Sequence, residues 1–121
     1  MTKKIVSIFI LSMLMLCIWA GSFEIESYDI AIKANKDGRL DITETIDVRF
    51  FEESHGIYRD IQYRFDNPNG NDFDPIVAEI SQVKANTTFK TDKENGILRI
   101  ILGDEDRIAN ERERYVIQYS Y

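Results

Sequence analysis

His55-Gly56-Ile57-Tyr58-Arg59-Asp60-Ile61-Gln62-Tyr63-Arg64-Phe65 reads as a β-strand with one unexpected member. From Ile57 onward the apolar residues Ile57, Ile61, Tyr63 and Phe65 keep one phase, and Arg59 sits in the same series. Alternation of this kind marks a strand with one face on a core. Arg59 is therefore a cation on the buried face and needs a partner. The preceding strand, Arg39 to Phe50, offers one. Its inward phase is Leu40, Ile42, Glu44, Ile46, Val48 and Phe50, with Glu44 the exception. A buried carboxylate or guanidinium left alone costs several kcal/mol, so Glu44 and Arg59 are expected to form a core ion pair. The two strands are consecutive and closely connected, which predicts that they pair side by side with the partners about 5 Å apart.

The rest of the chain falls into place around this pair. Phe23 to Lys33 reads as a first strand whose phase slips near Glu26-Ser27, as at a bulge, and Asp37-Gly38 is a hairpin signal. Asp66 to Pro75 is a loop by composition, holding both prolines of the chain. A strand with weaker phase follows from Ile76 to Ala85. Thr87 to Thr91 and Ile97 to Leu102 form a second hairpin around Asn95-Gly96. Gly103 to Asn110 is a polar connection, with at most one helical turn over Arg107 to Arg114. Tyr115, Ile117, Tyr119 and Tyr121 alternate in a final strand. About seven short strands with regular turn signals predict an all-β, antiparallel, immunoglobulin-like sandwich.

Residues 1–22 stand apart. Lys3 and Lys4 precede an uncharged, apolar run from Ile5 to Trp19, and small residues follow at Ala20-Gly21-Ser22. This is the grammar of a secretory signal peptide, cleaved after Ser22 or Ala20. An uncleaved N-terminal membrane anchor is the alternative, although the run is short for a span of roughly 20 apolar residues. Cys17 is the one cysteine, and the bulky Met15-Leu16 before it argue against lipid attachment. Residues 23–121 then form an extracytoplasmic domain without disulfides or thiolate metal sites. That part carries all 21 acidic residues and 13 of the 15 basic ones, a net charge of −8. Such a balance argues against nucleic acid and against anionic lipid as partners.

No catalytic constellation emerges. No second carboxylate shares the face of Glu44, as a glycosidase would require. An envelope carbohydrate-active hydrolase using Glu44 with an Asp of the 66–74 loop is the alternative, and it needs Glu44 exposed in a cleft. His55 is the only histidine; it has no companion ligands for zinc, and Ser54, its sequence neighbour, points away in an extended segment. His55-Gly56 reads as a tight entry to the strand, with Gly56 supplying backbone freedom. Asp66, Asn69, Asp72 and Asp74 are weak calcium candidates, since their spacing misses the twelve-residue loop pattern. No cofactor is expected. Asn86-Thr87-Thr88 fits a glycosylation sequon, and the tyrosines of the final strand read as half-buried sheet residues.

Phe23-Glu24-Ile25-Glu26-Ser27-Tyr28-Asp29, then Asp37-Gly38-Arg39-Leu40-Asp41-Ile42-Thr43-Glu44-Thr45-Ile46, then His55-Gly56-Ile57-Tyr58-Arg59-Asp60-Ile61, and last Tyr115-Val116-Ile117-Gln118-Tyr119 occur in this order. Together they resemble the N-terminal module of the YciQ-like predicted membrane proteins, a domain of unknown function. The resemblance spans the chain after Ser22. It implies an extracytoplasmic β domain on a larger membrane protein, with no established enzyme activity. Members of that family continue into transmembrane helices, so the ending at Tyr121 reads as a truncated, split or degenerate member, and a separately encoded transmembrane portion becomes a candidate partner. The expected function is a non-catalytic binding or sensing module of the cell envelope, exported and facing an envelope protein or glycan. A fragment with no function of its own is the remaining alternative.

Overall fold

The computed structural model describes residues 22–66 and 75–121. The signal or anchor segment therefore lies outside the described residues, apart from Ser22. Nine strands are formed among those described: β1 Phe23–Ala34, β2 Leu40–Phe50, β3 Gly56–Gln62, β4 Arg64–Phe65, β5 Ile76–Val77, β6 Ser81–Ala85, β7 Phe89–Glu94, β8 Ile97–Gly103 and β9 Arg112–Ser120. All pairings are antiparallel. One sheet has the order β1-β2-β9-β6, a second β3-β8-β7, and β4 pairs with β5 in a small third. The described residues contain no helix, including over Arg107 to Arg114.

The strand count exceeds seven because two expected strands are each broken once. The long strand through His55–Phe65 stops at Gln62, where Tyr63 and Arg64 both donate their N–H to the carbonyl of Gly96, at 2.9 and 3.3 Å. The chain there leaves β8 for the tip of the β7–β8 hairpin. The strand expected from Ile76 to Ala85 is likewise split between β5 and β6. Other local signals are realised as read. The ladder between β1 and β2 slips between Ile25 and Ser27, and Gly38, Asn95 and Gly96 take the positive φ angles of 91°, 52° and 79° that tight hairpins need.

Period-2 patterning builds the core. Ile42, Ile46, Val48 and Phe50 of β2 and Tyr115, Ile117 and Tyr119 of β9 face inward from the first sheet. Ile57 and Ile61 of β3 and Leu98, Ile100 and Leu102 of β8 face inward from the second. These residues join in one buried cluster, as expected of two sheets packed face to face.

The strand pairing departs from expectation in one respect that matters for the site. β2 and β3 are consecutive but belong to different sheets. The connection over 51–55 carries the chain from one layer to the other. Glu44 and Arg59 thus meet across the interior of the sandwich, each projecting from its own sheet.

Candidate functional site

Glu44 and Arg59 are both 0% exposed. Glu44 lies between Ile30 of β1 and Ile117 of β9, while Arg59 lies beside Ile100 of β8. The guanidinium meets the carboxylate side-on: Nε donates to Oε1 at 2.7 Å and Nη2 to Oε2 at 3.1 Å. Two tyrosines complete the cluster. The Tyr28 hydroxyl donates to Oε1 and the Tyr119 hydroxyl to Oε2. Both come from diagonal positions: Tyr28 is paired with Ile46 and Tyr119 with Ile42, one step along β2 on either side of Glu44. A carboxylate offers about four lone-pair sites, and here each oxygen already receives two donors. Arg59 also donates from Nη1 to the carbonyl of Asp60 on its own strand.

The electrostatics follow from this closure. Burial alone pulls the Arg59 guanidinium down, and the charge and hydrogen bonds of Glu44 outweigh it, so the net shift is upward. Burial pushes both tyrosine hydroxyls well above the ordinary phenol range. The Glu44 charge adds to that push at Tyr119, while Arg59 opposes it at Tyr28. The cluster has no spare acceptor on Glu44 and no path for solvent. It satisfies a buried charge pair; a reacting group placed here would have nothing to touch.

The motif His55-Gly56-Ile57-Tyr58-Arg59 divides into separate tasks. Ile57 and Arg59 face the core. Tyr58 lies on the outer face, under the guanidinium of Arg99 at 5.2 Å from the ring centre. Gly56, with φ of 155°, pairs with Gly103, with φ of 123°. A Cβ on Gly56 would stand 1.7 Å from the carbonyl oxygen of Leu102, and one on Gly103 would stand 2.0 Å from that of His55. The glycine of the motif is thus set by close contact of two backbones, beyond the freedom of a turn. Sequence reasoning found Gly56 and missed Gly103, whose partner only the β3–β8 register reveals.

His55 is exposed and donates Nδ1–H to the carbonyl of Arg107 at 2.9 Å. It stands at the rim of a polar cleft of about 240 Å³ at one end of the sandwich. Thr87, Thr88, Asp104, Glu113 and Tyr115 also line this cleft. Burial, then the nearby Glu113 carboxylate, pushes the Tyr115 hydroxyl up to about 12. Glu113 is partly engaged, accepting the Asn110 N–H at 2.9 Å. Arg114, on the cleft wall, is held by Asp47 at 2.7 and 3.1 Å. The cleft offers hydroxyls, carboxylates and an imidazole to a small polar molecule; drug-sized pockets run from about 300 Å³ upward.

Of the calcium candidates, Asp66 is described and exposed, while Asn69, Asp72 and Asp74 lie outside the described residues. Among the described residues no group of three or more His, Cys, Asp or Glu side chains is placed to hold a metal ion. The sequon residue Asn86 has a structural task. Its Nδ2 donates to the carbonyl of Arg114 at 2.7 Å and its Oδ1 accepts from Val116 N at 2.9 Å. The side-chain amide thereby extends the β6–β9 pairing by one rung.

A family model described as "Predicted membrane protein (DUF2207) N-terminal domain" matches residues 24–121. No curated protein and no solved structure matches the chain significantly.

Proposed function

The chain belongs to the DUF2207 family of predicted membrane proteins, whose N-terminal domain it carries, and from that premise we propose that it is a non-catalytic binding or sensing module on the extracytoplasmic face of a membrane. The observation that carries this reading is the sealing of Glu44. The one carboxylate that chemistry could recruit from the sandwich interior is 0% exposed, and all its acceptor sites are filled by Arg59, Tyr28 and Tyr119. The hydrolase alternative asked for that residue in an open cleft. One cleft open to solvent brings together His55, Thr87, Thr88 and Asp104, and there a small polar ligand or the end of an envelope glycan would find donors and acceptors of both kinds. Export is supported by the basic start, apolar run and small residues of 1–22, and the −8 balance of residues 23–121 does not draw the domain onto anionic lipid.

The test is an NMR titration of the isotopically labelled protein with soluble cell-wall glycan fragments, together with an assay for their cleavage. The expected result is amide shifts confined to Thr87, Thr88, Gly103, Asp104 and Arg107, and no cleavage. Turnover that disappears in a folded Glu44→Gln variant overturns the proposal.

A further inference from the structure

A sandwich of two open sheets has four edges, and an unguarded edge invites another strand. Three of the four are guarded here. Along β3 the carbonyls of Gly56, Asp60 and Gln62 accept side-chain donors: Ser54 Oγ at 3.0 Å, Arg59 Nη1, and the Tyr121 hydroxyl at 3.1 Å. β7 carries Lys90, Asp92, Lys93 and Glu94 on an exposed strand. β6 is short and irregular, with its register shifting between Ser81 and Lys84 and Gln82 at a φ of 55°. The edge of β1 from Tyr28 to Ala34 is long and regular, with no register shift after Ser27, and its only charges, Asp29 and Lys33, are of opposite sign.

Its polarity can be worked out. Leu40 and Tyr121 exchange both backbone hydrogen bonds, so even-numbered residues of β2 turn their peptide groups to β9 and odd-numbered ones to β1. In the β1–β2 register Ala31 is opposite Thr43 and Lys33 opposite Asp41. Hence Asp29, Ala31 and Lys33 bond β2, and Tyr28, Ile30 and Ile32 turn their N–H and C=O outward. Among the described residues no backbone partner takes them. On the inward side of the same stretch Ile32 is 60% exposed.

We propose that this edge pairs with the same edge of a second copy of the chain, antiparallel about a two-fold axis through Ala31. That register places Ile30 against Ile32 of the partner subunit as hydrogen-bonded pairs, using the groups that point outward. It places Asp29 against Lys33 of the partner subunit as non-hydrogen-bonded pairs, where side chains stand closest. The symmetry repeats the ion pair on the other side of the axis, and the small Ala31 meets its own copy at the centre. An axis at Asp29 or Lys33 opposes like charges and one at Ile30 or Ile32 leaves Asp29 and Lys33 without an opposite partner, so the axis at Ala31 alone brings the two charges together. The two four-stranded sheets become one continuous sheet, and the exposed Ile32 gains cover. Because a single strand pair buries little area, the complex falls among weak, transient interfaces.

The full chain in mild non-ionic detergent, examined by analytical ultracentrifugation from about 1 μM to about 1 mM, a range that spans weak affinities, tests this. The parent is expected to show a reversible monomer–dimer equilibrium. Asp29→Lys and Lys33→Asp, both exposed positions, should each raise the dissociation constant at least about tenfold. An equimolar mixture of the two variants should associate like the parent, because every cross-axis pair is then attractive. In a Cys17→Ser background, Ala31→Cys should form a disulfide-linked dimer under mild oxidation, whereas Thr43→Cys, on the same face one strand inward, should not. A parent that stays monomeric, a mixture that fails to recover association, or equal cross-linking at both cysteines overturns the proposal.

Discussion

Arg59 on β3 reaches Glu44 on β2 although the two strands share no backbone ladder. The ion pair is therefore a bolt between the layers. Its bidentate geometry fixes how far β3 can slide over β2, a constraint that interdigitating isoleucines supply less strictly, since apolar packing is non-directional. Each residue is also the most expensive one in the core to leave unmatched.

Removing one partner should cost more than removing both. Arg59→Ala or Glu44→Ala leaves a buried charge uncompensated, and each is expected to destabilise the protein by about 3–5 kcal/mol. The double variant Glu44→Leu with Arg59→Met removes both charges together, leaving only the Tyr28 and Tyr119 hydroxyls to find new acceptors, and should recover part of that loss. Urea unfolding midpoints of the three variants check this; a double variant as weak as the sum of its singles would contradict it.

The tyrosines can be tested separately. Tyr28→Phe and Tyr119→Phe each delete a donor to the Glu44 carboxylate while keeping the ring. A hydrogen bond to a charged group contributes about 1.5–3 kcal/mol, so a loss of that order is expected in each, with Tyr119 at least as costly because it is the more buried. Thermal melts of the two variants provide the measurement. A hydroxyl that contributes nothing would leave the melting temperature unchanged.

The paired glycines should tolerate nothing larger. Gly56→Ala places a methyl within 1.7 Å of a backbone carbonyl that cannot swing away, and Gly103→Ala within 2.0 Å of another. Both substitutions should either lower the melting temperature by well over about 4–8 °C, the shift that 1 kcal/mol causes in a domain of this size, or prevent folding. Gly38→Ala, where nothing lies within 4 Å of the new Cβ, should be milder and limited to the strain of its positive φ. Circular dichroism melts rank the three.

Stability should fall at both extremes of pH, for opposite reasons. Hydrogen bonds from Arg114, then from Ser27, hold the Asp47 carboxyl down at about 2 against 3.8 when unperturbed. A depressed folded value means the stabilisation is present above pH 3.8 and is lost as pH drops toward 2. Asp47→Asn should flatten the dependence of the urea midpoint on pH within that window. At the alkaline end Tyr115 rises from 10.0 to about 12, through burial and then Glu113, and Tyr28 and Tyr119 rise further. Raised folded values mean full stabilisation below pH 10 and its loss as pH climbs beyond. Phenolate absorbance from Tyr28, Tyr115 and Tyr119 should thus appear only with loss of structure, which a parallel circular dichroism titration checks.

Much of this architecture is written in period-2 alternation, which survives in β2, β3, β8 and β9 because one face of each is buried and the other wet. The pairing of Glu44 with Arg59 was legible for the same reason: two charges in an apolar phase have few ways to be satisfied. What alternation cannot encode is which sheet a strand joins. A side chain facing inward looks the same in sequence whether its partner is a neighbour on the ladder or stands across the interior, and so β2 and β3 read as adjacent. The roles of Tyr28 and Tyr119 were hidden for a related reason. Their phase was visible, but a tyrosine on a buried phase is satisfied by packing alone until the register places a carboxylate beside its hydroxyl. Gly103 belongs to this class too, since its meaning depends on Gly56 across a ladder of distant residues. The cleft around His55 is assembled from three separate connections and the start of β9, and no local signal foretells such a meeting.

β1 and β9 flank β2 and run in the same direction, β1 starting beside Phe50 and β9 ending beside Asp41. Phe23 and Ser120 consequently emerge from opposite ends of one sheet. Tension applied between those two points would drag β1 and β9 in opposing directions along the shared central strand. The rungs of both ladders would then bear load together, in shear, where a hairpin pulled from one end opens rung by rung. A domain tethered at both ends is held in its strongest orientation by this arrangement, and its survival under pulling would be set by the unfolding rate rather than by equilibrium stability.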